Sequence, residues 1–204
     1  MLMAKNQPTA AELRHKILEA TIPLFNAHGL KFTMDQLAHS LGMSKKTIYA
    51  VFPDKRTLLE AMADHCFDFI RSSKARLLSD ETLPLPEKLR LVLSTLTEKY
   101  ESIDLSRLHD LREKYPTVYD RVAQRLESGW ESTIALLEQG IADGVLRPFE
   151  IPIFKLMMES TLEQFFQSDV LVRSGLSYKQ ALDQVVDILL RGILAGPEEE
   201  KIHE

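Results

Sequence analysis

Residues 32–62, "FTMDQLAHSLGMSKKTIYAVFPDKRTLLEAM", decide how this chain is read. Two short amphipathic segments flank Gly42, and a lysine pair, Lys45 and Lys46, stands at the start of the second. Thr33-x-x-Gln36 is a capping box, in which each side chain takes up a free amide of the first helical turn, so a helix is predicted to open here with Leu37 and Ala38 facing inward. Gly42 permits a tight turn after Leu41, and Ser44 caps a second helix running through Phe52. Asp54, after Pro53, caps a longer one whose apolar face carries Leu58, Met62, Cys66, Phe69 and Ile70. Helix, glycine turn and second helix are the proportions of a helix-turn-helix unit, whose second helix offers its N-terminal residues to base edges in the major groove.

The charge distribution agrees with that reading. Residues 1–56 hold Lys5, Arg14, Lys16, Lys31, Lys45, Lys46, Lys55 and Arg56 against Glu12, Glu19, Asp35 and Asp54, a basic head in a chain of formal net charge -5. The remainder is therefore strongly acidic, which points to phosphate contact at one end of the molecule. At the leading end of the second helix, Lys45 and Lys46 can donate to guanine or neutralise phosphate, Thr47 can meet a thymine methyl or a phosphate, and Tyr49 offers a hydroxyl to a phosphate. Ile48 and Phe52, four apart, anchor the opposite side of that helix. Lys55 adds its charge to the positive end of the next helix.

Helical signals continue in both directions. Thr9-x-x-Glu12 is another capping box, followed by Leu13, Ile17, Ala20, Leu24 and Phe25 at helical spacing, with Gly29 as C-terminal cap and a kink predicted at Pro23. "SDETLPLPEK" interrupts the pattern. Beyond it Leu89, Val92, Leu93, Leu96 and Tyr100 predict one helix, residues 105–112 a short one, and Val118, Val122, Leu126, Trp130, Ile134, Leu137 and Ile141 a single long one ended by Gly144. Two further helices carry Phe154, Met157, Met158, Leu162, Phe165 and Phe166, then Leu182, Val185, Val186, Leu189 and Ile193. Period-two alternation and internal repeats are absent, so the expected fold class is all-α with about nine helices.

Other function classes find little support. The single cysteine, Cys66, excludes an intramolecular disulfide and suits a reducing cytoplasm; on an apolar stripe it reads as a packed thiol. "MLMAKNQPTAAELRHK" lacks the apolar run of a signal peptide, and "VVDILLRGILAG" is too short and too charged to span a bilayer, so a cytoplasmic chain is expected. The six histidines have no metal-ligand spacing, and no nucleophile–base order, glycine-rich phosphate loop or carboxylate pair marks catalysis. No enzyme, cofactor or metal is expected.

The run from Thr33 to Met62 resembles the DNA-binding signature of the tetracycline-repressor (TetR) family in its Leu37-Ala38 pair, Gly42, Ser44, Thr47, Ile48, Tyr49, Phe52, Asp54-Lys55 and Leu58. It departs from it at Val51, where the family often has histidine or tyrosine. The resemblance implies a ligand-responsive regulator, most simply a homodimeric repressor released from a palindromic operator by a small molecule. It implies a DNA-binding domain over residues 1–56, with Lys45, Lys46, Thr47 and Tyr49 facing DNA, Ser44 at the helix cap, and Thr33 and Lys55 at phosphates. Residues 57–204 would bind ligand and dimerise. Phe69, Tyr100, Trp130, Met157 and Phe165 are its pocket candidates; Leu162, Phe166, Leu182, Val186 and Leu189 are its dimer-interface candidates. The alternative, suggested by Val51, is a helical ligand-binding or interaction module that has lost sequence-specific DNA binding.

Overall fold

The structure, a computed structural model, describes residues 9–95 and 111–195. Its architecture is all-α. Helix α1 (Ala10–His28) opens on the predicted box, with the Thr9 amide donating to Glu12 Oε2 at 2.7 Å, and it runs unbroken through Pro23 to Gly29. A short 3-10 turn (Gly29–Lys31) leads to α2 (Met34–Ser40), then α3 (Lys45–Val51) and α4 (Lys55–Leu78). Isolated seven-residue helices are unstable in water, so α2 and α3 depend on their caps and on burial of one face. Leu37, Ile48, Phe52 and Leu58 are all fully buried, joined by Ile17, Phe25 and Phe32 in the head portion of one hydrophobic core that continues into the body. Gly42, at φ +60°, makes the turn between α2 and α3 in a conformation that side-chain-bearing residues rarely adopt.

The body consists of α5 (Leu85–Ser94), α6 (Leu111–Lys114), α7 (Pro116–Glu127), α8 (Glu131–Ala142), α9 (Ile151–Gln167), α10 (Val170–Ser174) and α11 (Tyr178–Ile193). The single long helix expected over residues 118–141 is instead two. Gly129 breaks it at φ +78°, and the Trp130 indole Nε1 donates back to the Leu126 carbonyl at 3.2 Å, closing the end of α7. The five-residue α10 and its glycine cap at Gly175 were also not expected from the periodicity.

Helix α4 is one continuous element of 24 residues, and the expected domain boundary after residue 56 falls in its first turn. It packs on α1 in the head and on α5 and α7 in the body. Its contact with α7 is a ladder of polar groups four residues apart on both helices: Glu60 accepts from Thr117 Oγ1 at 2.8 Å, Asp64 accepts from both Arg121 and Arg125, and Asp68 lies 3.5 Å from Arg125. At the far end of the body, α11 packs on α5 and α9. A short antiparallel bridge pairs Leu146 with Leu194, the Arg147 amide donating to the Ile193 carbonyl and the Ala195 amide to Val145. No helix among the described residues is long and apolar enough to cross a membrane.

Burial raises the Asp64 carboxyl pKa, but the hydrogen bonds and charges of Arg121 and Arg125 outweigh it and leave it below its ordinary value. A carboxylate with a depressed native pKa contributes stability above its unfolded pKa and loses it as pH falls through the native one. Asp64→Asn is therefore expected to lower unfolding stability by about 1–2 kcal/mol at pH 7. The urea curves of variant and wild type should converge as pH falls below roughly 4.

Candidate nucleic-acid interface and body cavity

The amino end of α3 stands clear of the head. Ser44 is its N-cap, with Oγ accepting from the Thr47 amide at 3.1 Å and lying 2.8 Å from the Thr47 hydroxyl. Ile48 and Phe52 turn into the core, which leaves Lys45, Lys46 and Tyr49 exposed, the tyrosine at 45%. Thr33 is exposed as well, its oxygen accepting from the Gln36 amide as the cap of α2. Val51 is half-buried against the core, so its side chain serves packing.

Two lysines are already engaged. The Lys45 ammonium pairs with Asp35 of α2, a solvent-exposed pair in which both side chains are more than half accessible. An exposed pair of this kind contributes at most ~1 kcal/mol and yields readily to a stronger anion. Lys55 behaves differently. Expected at the phosphates, it is turned inward: its Nζ donates to the Leu30 carbonyl at 2.6 Å and to the Phe32 carbonyl, and sits 4.2 Å from the centre of the Phe32 ring. Burial lowers its pKa. The side chain satisfies carbonyls at the end of the 3-10 turn and ties the start of α4 to the head. Sequence reasoning saw a cation at a helix start; the unsatisfied carbonyls twenty-odd residues earlier are visible only in three dimensions.

His15, Glu19 and His65 also meet between α1 and α4, which the spacing of the histidines did not foretell. Their donor atoms lie within 4.8 Å of one another, His65 Nε2 is 2.8 Å from Glu19 Oε1, and the two imidazoles meet edge-on at 5.2 Å. These three could contribute ligands to a metal ion, and as they stand they bind the head helix to α4.

The described part of the body holds a partly open cavity of about 500 Å³, within the range of small-molecule sites. Its wall is mostly apolar, with Leu59, Met62, Ile70, Val122 and Trp130 among the lining residues, and Phe25 of α1 reaches it from the head. Of the pocket candidates Trp130 lines this cavity. Phe69 is half-buried outside the lining, Met157 is 50% exposed, and Phe165 packs edge-on against Tyr178 at 5.9 Å. Tyr100 and the Phe166 side chain lie outside the described residues. Of the residues expected at a partner, Leu162 and Leu182 line the cavity, Val186 is completely buried within the chain, and Leu189 is half-buried. Apolar periodicity identified the helices but could not say which of two apolar faces turns outward. The exposed stripe is Ile153, Leu156 and Met157 on α9 together with Ile188 on α11. Cys66 lines the cavity; burial, then the nearby Glu19 charge, pushes its thiol up to about 12, so the nucleophilic thiolate is scarce at neutral pH.

Residues 17–62 match the family described as bacterial regulatory proteins, tetR family. Over 183 residues the chain is 25% identical to an uncharacterized HTH-type transcriptional regulator, YvaF, of Bacillus subtilis, covering 90% of this chain and 96% of the relative. It is 24% identical over 156 residues to the HTH-type transcriptional repressor KstR2 of Mycolicibacterium smegmatis, covering 72% and 74%. The fold is similar to that of the transcriptional regulator FadR from Bacillus subtilis in complex with stearoyl-CoA. The TM-score is 0.61 at 17% identity, covering 88% of this chain and 98% of that one.

Lys55→Met should lower stability by about 1–3 kcal/mol in urea unfolding, because two carbonyls lose their donor. Lys46→Ala, at an exposed position, should stay within roughly 0.5 kcal/mol of wild type. Equal stability of the two variants would show that Lys55 does not hold the junction.

Proposed function

We propose that this chain, a TetR-family transcriptional regulator, works in the cytoplasm as a homodimeric repressor that a small molecule releases from a palindromic operator. The observation that carries the reading is the free amino end of α3, with Lys46 and Tyr49 on its open side and Ile48 and Phe52 locked beneath. In this reading residues 1–56 are the DNA-binding domain and residues 57–204 the ligand-binding and dimerisation domain. Lys45, Lys46, Thr47 and Tyr49 meet the duplex, with Ser44 and Thr33 at the helix ends beside the phosphates. Lys55 acts indirectly, by fixing the start of α4 under the head.

The partner would cover the apolar stripe of α9 and α11, where Ile153, Leu156, Met157 and Ile188 are each at least half exposed in the single chain. Dimerisation sets two copies of α3 about 34 Å apart, one turn of DNA, or a multiple of that. Ligand binding in the cavity acts through α4, which lines it and also begins the head's last contact. A ligand favouring a second position of α4 alters that separation, and by linkage ligand and DNA each weaken the other's binding by a coupling of ~1–3 kcal/mol. The stearoyl-CoA bound to FadR and the repressor action of KstR2 support a ligand-responsive repressor as the class.

Fluorescence anisotropy with DNA flanking the chain's own gene tests this. Lys46→Ala should weaken binding to every sequence and reduce the salt slope by about one. Leu156→Glu with Ile188→Glu should yield a monomer by light scattering and abolish operator binding while leaving the helical content intact. Wild-type protein that shows no preference for any flanking sequence over random duplex would overturn the reading.

A further inference from the structure

Among the described residues, the cavity wall carries a charge, that of Lys74, that no described group balances. Lys74, on α4, continues the stripe Cys66, Ile70, Lys74, Leu78 at four-residue spacing, so the helix aims it at the same chamber as its apolar neighbours. The other basic side chains of the wall are held by acids: Arg71 pairs with Asp68 at 3.0 Å, and Arg125 with Asp64 at 2.9 Å. No hydrogen bond or ion pair to Lys74 is found among the described residues. Burial alone lowers its pKa, with no charged neighbour acting against it. The carboxylate on the same wall, Glu131, is exposed at the start of α8. A cation taken from water into an apolar wall without a partner is costly, and proteins pair such groups or use them.

We propose that the body cavity takes an amphiphile with an anionic head, its carboxylate or phosphate seated on Lys74 and its apolar portion along Met62, Ile70, Val122, Leu162 and Leu182. A neutral ligand of the same shape leaves the ammonium unmatched, and a cationic one is repelled. The apolar lining supplies tail affinity of low selectivity, while Lys74 supplies the discrimination between head groups. Because Lys74 and Lys55 stand on one helix, a head group drawn to the first loads the element whose other end the second fastens to the head. The effector class thus deepens the repressor reading and rests on it only for the consequence at DNA.

Isothermal titration calorimetry on the full chain tests the inference with four probes of equal tail: decanoate, decyl phosphate, decanol and decylamine. Decanoate or decyl phosphate should bind roughly tenfold or more tighter than decanol, with decylamine weakest; which of the two anions binds tighter identifies the head group. Lys74→Met, close in volume, should erase the acid preference while preserving decanol affinity, and Lys74→Arg should retain it. Circular dichroism and melting of each variant confirm that it is folded. Equal binding of acid and alcohol to wild type, persistence of the preference in Lys74→Met, or no binding of any probe would each overturn the proposal. Anisotropy with operator DNA separates the two readings. Anion binding through Lys74 without release of DNA sinks the inducer mechanism and leaves the ligand class standing. Release of DNA by a neutral compound that Lys74→Met still binds does the reverse.

Discussion

Everything in this molecule passes through the polar ladder between α4 and α7. Glu60, Asp64 and Asp68 face Thr117, Arg121 and Arg125 at matching four-residue intervals, so displacement of either helix by half a turn would break every rung at once. Charged groups at the edge of a body are usually weak contributors, but a shared carboxylate with two guanidinium donors has a defined geometry that an apolar contact lacks. The ladder therefore fixes the register of α4. Head and cavity inherit their relative position from it, because the first turn of α4 holds the head through Lys55 and its later turns wall the cavity through Ile70 and Lys74.

The head shows how short helices become dependable. Neither α2 nor α3 is long enough to persist alone, yet each begins with an oxygen that accepts from a backbone amide and each buries one side in a shared core. The caps at Thr33 and Ser44 both lie on the exposed surface of the head, beside Lys45, Lys46 and Tyr49. Arg14 lies 4.6 Å from the centre of the Phe52 ring, which sets α1 over the far end of α3.

Much of this was legible in the sequence because it is local. Capping boxes at Thr9 and Thr33, the turn at Gly42 and the inward pair Ile48 and Phe52 require only neighbours a few residues away, and all appear where the spacing places them. What the sequence did not reveal involves long-range contacts. The Lys55 ammonium is claimed by carbonyls of a preceding turn, and Leu182 and Val186 face their own chain because apolar periodicity marks a face without saying what covers it. The break at Gly129 is marked only by one glycine within an otherwise continuous apolar stripe, which by itself predicts an unbroken helix. Lys74 is equally plain in the sequence, as the charged member of a stripe whose preceding residues, Cys66 and Ile70, are apolar.

The small bridge between Leu146 and Leu194 gives the body a fixed side. Arg147 reinforces it, its Nε donating to the Gly192 carbonyl at 2.6 Å, so the close of α11 is buckled to the strap that leads into α9. A helix fastened at its terminus resists sliding along its own axis. The α9–α11 side of the body is thus anchored against axial travel, and among the described helices that wall the cavity the longest is α4.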